Sequence, residues 1–178
     1  MNKLGLFFRY LLLIIIGLPG PYLFYLIFTP LTVYPVYTIL KLVYSSAFLE
    51  GNLIVFNNYS ISLIPACIAG AAYYLLLILN LATPMNFKVR IKSLSFMFLS
   101  FLFLNILRII AFSALFIGGF ELFDIAHKTT WYLGSTALVV LIWFSSVCLF
   151  KIRTIPAYTD FKTLFGYLKK PGKKGRKK

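Results

Sequence analysis

The sequence has few of the side chains on which most enzyme sites depend. Its 178 residues include one histidine, two cysteines and only four aspartates and glutamates in total. A single histidine excludes phosphatase-type sites that need two histidines, and two cysteines do not define a disulfide framework. No Gly-x-Ser-Gly stretch of the serine intramembrane proteases is present. The sequence shows no internal repeat, and it predicts no cofactor and no metal site.

Charged residues are scarce over most of the chain. They make up 12% of the sequence and hydrophobic residues 61%, and the mean hydropathy is +0.89. A soluble domain carries roughly 25% charged residues, so this composition excludes an ordinary soluble globule. It predicts an all-α integral membrane protein, a helical bundle of about four transmembrane helices, with five as the alternative. Residues 1–150 should form a single polytopic membrane domain that carries the active site.

Basic charge is concentrated in the tail. The formal net charge is +14, and ten of the 18 lysines and arginines follow Phe150. A basic cluster just beyond the last hydrophobic span is typical of a cytoplasmic anchor on anionic lipid headgroups, which argues against nucleic-acid binding. Within the tail, 151–178, apolar residues at helical spacing predict an interfacial amphipathic helix over 155–168. These apolar residues are Phe161, Leu164, Phe165 and Leu168.

Long apolar runs define the predicted spans. The first, Leu4 to Phe28, is interrupted at 17–21, where glycine and proline must kink or break a helix, and it lacks a signal-peptide cleavage site. The tyrosine-rich segment Pro30 to Phe48 is predicted to lie at the interface rather than to cross. Glu50 to Ile64 is more polar, and Asn57-Asn58 predicts the turn of a short hairpin or extended loop. The other spans are Pro65 to Leu81, Ser93 to Ile117 and Thr129 to Phe150.

Basic residues in the loops set the orientation, because cytoplasmic loops of membrane proteins carry excess lysine and arginine. The loop 83–92 holds three basic residues and should be cytoplasmic, as should the tail. The loop Gly118 to Lys128 and the segment near Glu50 then face the outside. Lys3 and Arg9 predict a cytoplasmic N-terminus, which requires an odd number of crossings before Glu50. The chain is therefore predicted to be a multi-pass protein of the cell membrane.

Three reactive side chains lie near the predicted outer ends of successive spans. They are Cys67, Arg108 and His127. Ionisable residues at membrane depth are costly and usually functional, and Arg108 is flanked by apolar residues on both sides. Arg108 is expected about 14 Å below the outer end of its helix, so its long side chain must reach upward to meet the others. The sequence predicts one reactive site on the outer face.

Each of these residue types suits a step of covalent catalysis. The thiolate is the nucleophilic form of cysteine, and both a helix N-terminus and a nearby imidazolium stabilise it. Cys67 follows Pro65, and proline favours the first turn of a helix. His127 would take the thiol proton and return it to a leaving group. Arg108 would hold an oxyanion or a substrate carboxylate.

Other polar residues are weaker candidates. Asn105 shares a helical face with Arg108 and would fix it or bind substrate backbone. Asp124, three residues before His127, would orient the imidazole. A lone membrane cysteine is more often a small apolar filler than a nucleophile, and Cys148 is assigned to that class.

The order of these motifs resembles that of the exosortase/archaeosortase family, and in size the chain is similar to its short archaeal members. The resemblance covers roughly Asn52 to Phe150. In the family a small hydroxyl residue and then glycine usually follow the cysteine, whereas Ile68 and Ala69 precede the glycine here. The matching segments are Pro65-Ala66-Cys67-Ile68-Ala69-Gly70, Asn105-Ile106-Leu107-Arg108-Ile109, and His127 followed by Trp131 and Gly134.

The resemblance implies an integral-membrane cysteine peptidase or transpeptidase with its active site facing outside. Its substrates would be exported proteins with a C-terminal sorting signal, made of a short motif, an apolar span and a basic cluster. The enzyme would cleave the signal and transfer the new C-terminus to a lipid acceptor. Carried over residue by residue, Cys67 is the nucleophile, His127 the acid–base and Arg108 the third catalytic member.

Two other classes of function stay open on the sequence alone. In a small transporter or channel subunit, Asn105 and Arg108 would line a path and Cys67 would be incidental. A chain of 178 residues leaves little room for two transport halves without oligomerisation. In a non-catalytic membrane assembly or lipid-handling protein, Arg108 would pair with an acidic residue of a partner.

Overall fold

The computed structural model describes residues 11–15, 17–18, 20–56 and 59–152, most of which are helical. The predicted start of the first span and the predicted amphipathic helix lie outside these residues. From Tyr22 onward the elements are α1 (Tyr22–Val43), β1 (Phe48–Glu50), β2 (Leu53–Phe56), β3 (Tyr59–Ser62), α2 (Pro65–Ile68), α3 (Gly70–Ala82), α4 (Phe87–Ile117), α5 (Phe123–Thr129), a π-helical turn (Thr130–Gly134) and α6 (Ser135–Leu149).

Four helical stretches are long and apolar enough to cross a membrane. Over the described residues they are Tyr22–Val43, Pro65–Ala82, Phe87–Ile117 and Phe123–Leu149. Their number agrees with the predicted count of about four, and a mostly helical fold is confirmed. The last stretch begins earlier than predicted, because α5, the π-helical turn and α6 form one continuous helix. His127 therefore lies in a helix and not in a loop.

The first of these helices has different bounds from the predicted ones. The break predicted at 17–21 is present, and Gly20 there has a φ of +58°. Helix α1 starts directly after it and continues through Pro30 and Pro35 to Val43. The prediction that Pro30 to Phe48 is a separate interfacial segment is therefore wrong for residues 30–43. Each proline removes one helical hydrogen bond, which apolar helices packed against neighbours tolerate.

The three strands form a small antiparallel sheet in the order β1-β2-β3. The predicted hairpin is confirmed, because Phe56 pairs with Tyr59 across the two-residue connection 57–58. The prediction of an all-α fold is wrong for this segment, where short β-branched and aromatic runs are bounded by turn residues. The sheet lies at the C-terminal end of α4, where the ring of Tyr59 meets that of Phe116 at 5.9 Å between centroids.

The predicted helix from Pro65 to Leu81 is interrupted at Ala69. This residue has left-handed backbone angles, with φ 57° and ψ 40°, and it separates α2 from α3. The next residue, Gly70, allows a close approach of α1, since a Cβ there would lie 2.7 Å from the ring of Tyr25. The interruption detaches the short turn that carries Cys67 from the long helix that follows.

A buried polar cluster joins the helices at the end of the bundle away from the sheet. The hydroxyls of Ser93 in α4 and Ser146 in α6 are 2.7 Å apart, and the Asn80 amide donates to Ser93 at 3.1 Å. Arg90 donates to the backbone carbonyls of Asn80 at 2.7 Å and Thr83 at 3.1 Å. These bonds satisfy carbonyls that the end of α3 leaves free, and they hold α3, α4 and α6 together.

Substitutions at adjacent positions of the interruption should have opposite effects on stability. Ala69→Gly relieves left-handed strain of about 1–2 kcal/mol, but it adds unfolded-state freedom of about 0.4–1 kcal/mol. We expect a net stabilisation between zero and about 1.6 kcal/mol, measured by thermal unfolding of the purified protein in detergent. Gly70→Ala should destabilise the fold, because the new Cβ would overlap the ring of Tyr25.

The control for this pair is Ala111→Gly in the interior of α4, which should destabilise by about 1 kcal/mol through helix propensity alone. Destabilisation of similar size by Ala69→Gly would show that the left-handed conformation is not the relevant feature of that position.

Candidate active site

Cys67 lies in α2, a helix of only four residues. Its backbone N–H donates to the carbonyl of Ile64 at 2.8 Å, and its free thiol is partly buried. The sequence predicted Cys67 at the N-terminus of one long helix, and this is wrong because Ala69 ends α2 two residues later. The turn that carries the thiol must be held by contacts outside its own helix.

Asn105 supplies one such contact. Its side-chain Nδ2 donates to the backbone carbonyl oxygen of Cys67 at 2.9 Å, and the residue is completely buried in α4. The other side-chain atom, Oδ1, is also buried and has no hydrogen-bond partner within the described part of the chain. The sequence singled out Asn105 for fixing Arg108 or binding substrate, whereas in the structure it fixes the backbone of Cys67.

This hydrogen bond also sets the depth of the thiol. Asn105 lies twelve residues before the end of α4 at Ile117, a distance of about 18 Å along the helix axis. Cys67 lies at the start of its own membrane-length stretch, Pro65–Ala82, as predicted, but this start is recessed below the end of α4. The predicted difference in depth between Cys67 and Arg108 disappears, because the cysteine lies at the level of the arginine.

Arg108 lies one turn after Asn105 on α4. Its Nη1 donates to the hydroxyl of Ser135 at 2.6 Å, and the residue lines the same two cavities as Cys67. The side chain is partly buried, and no acidic group among the described residues pairs with it. An unpaired charge that leaves water is costly, so this environment favours the binding of a negatively charged group.

His127 projects from α5 toward the same place. Its imidazole stacks on the ring of Phe123, with centroids 5.5 Å apart and planes 5° apart. It also meets the ring of Phe112 edge-on at 5.3 Å. These ring contacts orient the imidazole, while its nitrogens make no hydrogen bond with any residue that the structure describes. The histidine is solvent-accessible.

Two cavities meet at these three side chains. Both are lined by Cys67, Arg108 and His127, with Ile64 and Phe112 as their shared apolar lining. One cavity, of about 220 Å³, extends along β3 and the end of α4. The other, of about 230 Å³, extends toward Ala66, Thr130 and Trp131. The structure thus brings the three predicted reactive residues into one shared space.

The π-helical turn explains why α5 and α6 both reach this space. His127 and Ser135 are eight residues apart, so in a regular α-helix they would point about 80° away from each other. A π-helical turn accommodates one extra residue, which reduces this difference to about 20°. The backbone N–H of Ser135 accordingly donates to the carbonyl of Thr130, five residues earlier. One face of the helix can therefore present both His127 and the partner of Arg108.

The remaining predicted candidate, Asp124, lies apart from this space, as does Cys148, which the sequence did not predict to be functional. Asp124 is exposed, lines neither cavity, and makes no side-chain hydrogen bond within the described ranges. The ring contacts with Phe123 and Phe112, and not Asp124, orient His127. Cys148 is exposed near the end of α6. No group of three or more His, Cys, Asp or Glu side chains that could hold a metal ion occurs among the described residues.

Sequence reasoning missed two residues that the geometry makes important. The hydroxyl of Ser135 accepts a hydrogen bond from Arg108. In a regular α-helix the side chain of Ser135 would not point to the same side as that of His127, so the sequence does not predict this contact. Phe112, four residues after Arg108, lines both cavities beside the reactive groups and touches His127. The i, i+4 spacing from Arg108 was a usable signal for Phe112. Ser135 had no such signal, because the π-helical turn changes the direction of its side chain and is not marked in the sequence.

Comparisons with known proteins identified no relative of this chain. No family model matches the chain, and no curated protein and no solved structure matches it either.

Removal of the Asn105 side chain should lower the stability of the turn that carries Cys67. Asn105→Ala leaves the Cys67 carbonyl without its partner, and an unsatisfied buried group costs about 1–3 kcal/mol. We expect a loss of stability in this range by thermal unfolding. Ser113→Ala is the matched control on the same helix, because the hydroxyl of Ser113 bonds only a carbonyl of its own helix. Equal effects of the two substitutions would contradict the role of Asn105.

Proposed function

We propose that this protein is a membrane-embedded cysteine peptidase or transpeptidase of the sorting type, similar to exosortases and archaeosortases. It cleaves the C-terminal sorting signal of exported proteins and transfers the new C-terminus to a lipid acceptor. One observation carries the proposal: a thiol, a guanidinium and an imidazole line the same two cavities. Within the described residues the guanidinium has no acidic partner and the imidazole nitrogens make no hydrogen bond. The order of these groups in the sequence supports it independently.

The first half of the reaction forms a thioester. A ring nitrogen of His127 accepts the proton of Cys67, and the thiolate attacks the carbonyl carbon of the scissile peptide bond. As the C–S bond forms, the carbonyl electron pair moves to oxygen, where the guanidinium of Arg108 stabilises it. The intermediate then collapses, the C–N bond breaks, and His127 returns its proton to the departing amine.

The second half releases the product. His127 removes a proton from the hydroxyl or amine of the acceptor, which attacks the thioester carbonyl, and the oxyanion again forms beside Arg108. Collapse breaks the C–S bond, and the thiolate of Cys67 recovers a proton from His127. Water in place of the acceptor gives hydrolysis. The apolar side chains of Ile64 and Phe112 line both cavities, and an acceptor that binds there and displaces water would favour transfer.

The distribution of charge supports an outward-facing site. Lys88, Arg90 and Lys92 lie in the first turns of α4, and the sheet lies at the other end of that helix. With the basic end cytoplasmic, as the positive-inside rule requires, the cavities open on the outer side. Exported proteins reach the enzyme from that side, and a basic segment after their apolar span would stay in the cytoplasm.

Loss of the nucleophile should abolish processing. We expect Cys67→Ala to leave exported proteins with their apolar and basic C-terminal segments intact, detected by mass spectrometry of C-terminal peptides from cells that carry the variant. Cys148→Ala is the matched control, because this exposed cysteine lines neither cavity, and processing should continue. Normal processing by Cys67→Ala at wild-type protein levels would refute the enzymatic role and leave Arg108 to bind an anion for another purpose.

Substitutions of His127 and Arg108 should lower the rate of processing by different factors. His127→Ala should slow processing by about 10²–10⁴-fold, the usual effect of a general acid–base. Arg108→Lys keeps the charge but loses the planar donor fork, and a fall of about 10²–10³-fold is expected for an impaired oxyanion site. Rates of product formation in membranes measure both, with Lys128→Ala as the control for His127. Wild-type rates in Arg108→Lys would exclude an oxyanion role for the guanidinium.

A further inference from the structure

Among the described residues, one edge of the sheet has no pairing strand, and it faces the candidate catalytic residues. β3 is the last strand in the order β1-β2-β3. Residues 60–64, which include the end of this strand and the segment after it, line the same cavity as Cys67, Arg108 and His127. The free edge of β3 is thus one wall of a groove that ends at the thiol.

The pairing of β3 with β2 determines which of its backbone groups face the groove. Phe56 and Tyr59 flank the two-residue hairpin connection, and the N–H of Leu63 donates to the carbonyl of Asn52 at 2.9 Å. Hydrogen-bonded and non-hydrogen-bonded pairs alternate along antiparallel strands. Alternate residues from Tyr59 to Leu63 therefore bond to β2, and Ser60 and Ser62 direct their backbone groups away from it.

These outward groups are available for hydrogen bonds. Ser60 and Ser62 are both exposed. The carbonyl of Ser62 accepts from the N–H of Ile64 at 3.2 Å, but the N–H of Ser62 and both backbone groups of Ser60 have no partner among the described residues. Three backbone groups of one strand therefore point into the groove, in the arrangement that an added strand requires.

The dimensions of the groove suit an extended peptide. Its upper end lies where Tyr59 meets the end of α4, and Cys67 lies about 18 Å deeper along that helix. Extended chain rises about 3.3 Å per residue, so about five residues span this distance. The wall opposite β3 is aromatic and apolar, formed by Phe112, Phe116 and Phe123.

We propose that the segment of the substrate around the cleavage point binds in this groove as an extended chain that adds a fourth strand to the free edge of β3. Main-chain hydrogen bonds to Ser60 and Ser62 hold the chain, and the aromatic wall contacts alternate side chains. The scissile carbonyl then lies at the deep end of the groove, against Cys67. This inference rests on the proposed function and specifies how its substrate, an extended apolar peptide, is recognised.

The test uses two reagents that modify cysteine in the purified full-length protein. Acetyl-tetraalanyl chloromethyl ketone is a peptide probe, and chloroacetamide reports access to the thiol alone; both alkylate sulfur and release chloride. Mass spectrometry gives the rate at Cys67 for each reagent. Ser60→Pro removes one outward N–H, which an edge strand tolerates, and it should lower the ratio of peptide rate to chloroacetamide rate about five- to tenfold.

Leu49→Pro is the matched control. The alternation along β2 directs the N–H of Leu49 away from that strand, at the opposite edge of the sheet. This substitution should leave the ratio unchanged. An unchanged ratio in Ser60→Pro, or an equal fall in both variants, would overturn the proposal.

A second measurement alters only the probe. Chloromethyl ketones with a single N-methyl group at successive positions should react slowly at every other position, because alternate residues of an added strand face β3. A uniform effect along the probe would overturn the binding mode. Selective chloroacetamide modification of Cys67 over Cys148 would still support the nucleophile in that case. A peptide probe and chloroacetamide that both prefer Cys148 would instead contradict the proposed function itself.

Discussion

The hydrogen bond from Asn105 to the backbone of Cys67 is the interaction on which the geometry of the site depends. A four-residue helix cannot hold its own shape, because helix formation is unfavourable before several turns exist. Helix α4, with 31 residues, is long enough to act as a fixed support. It carries Arg108 one turn after Asn105, so a single helix fixes the depth of the sulfur and the direction of the positive charge.

The rest of the site comes from the last helix. There the π-helical turn compensates for a spacing that would otherwise send His127 and Ser135 in different directions. Such turns are often found at functional sites, and here the benefit is specific: the same helix face offers an imidazole to the cavities and a hydroxyl to Arg108. The turn that carries Cys67 and the helix that carries His127 are thus separate, and both contribute to cavities that Arg108 of α4 also lines.

Much of this arrangement could be predicted from residue types and spacing. The long apolar runs located three of the four membrane-length helices, and Asn57-Asn58 marked the hairpin. The prediction that Cys67, Arg108 and His127 approach one another agrees with the cavities that they line together. Their catalytic roles stay a prediction.

Other features had no local signal. Alanine has no preference for the left-handed conformation of Ala69, so nothing marked the interruption that detaches α2. Prolines normally end helices in soluble proteins, which hid the continuity of α1 through Pro30 and Pro35. The depth of Cys67 depends on a contact between residues 38 positions apart in the chain. The prediction that Asp124 orients the His127 imidazole rested only on their proximity in the sequence.

The polar cluster of Asn80, Ser93 and Ser146 has a mechanical consequence. Directional hydrogen bonds fasten the helices at the basic end, and those of Asn105 and Arg108 fasten α2 and α6 to α4 beside Cys67. Beyond that level, toward the sheet, the contacts are mainly aromatic. Any widening needed to admit a bulky lipid or an incoming polypeptide would therefore occur at the sheet end, between β3 and the last turns of α4, while the helices keep their register below it.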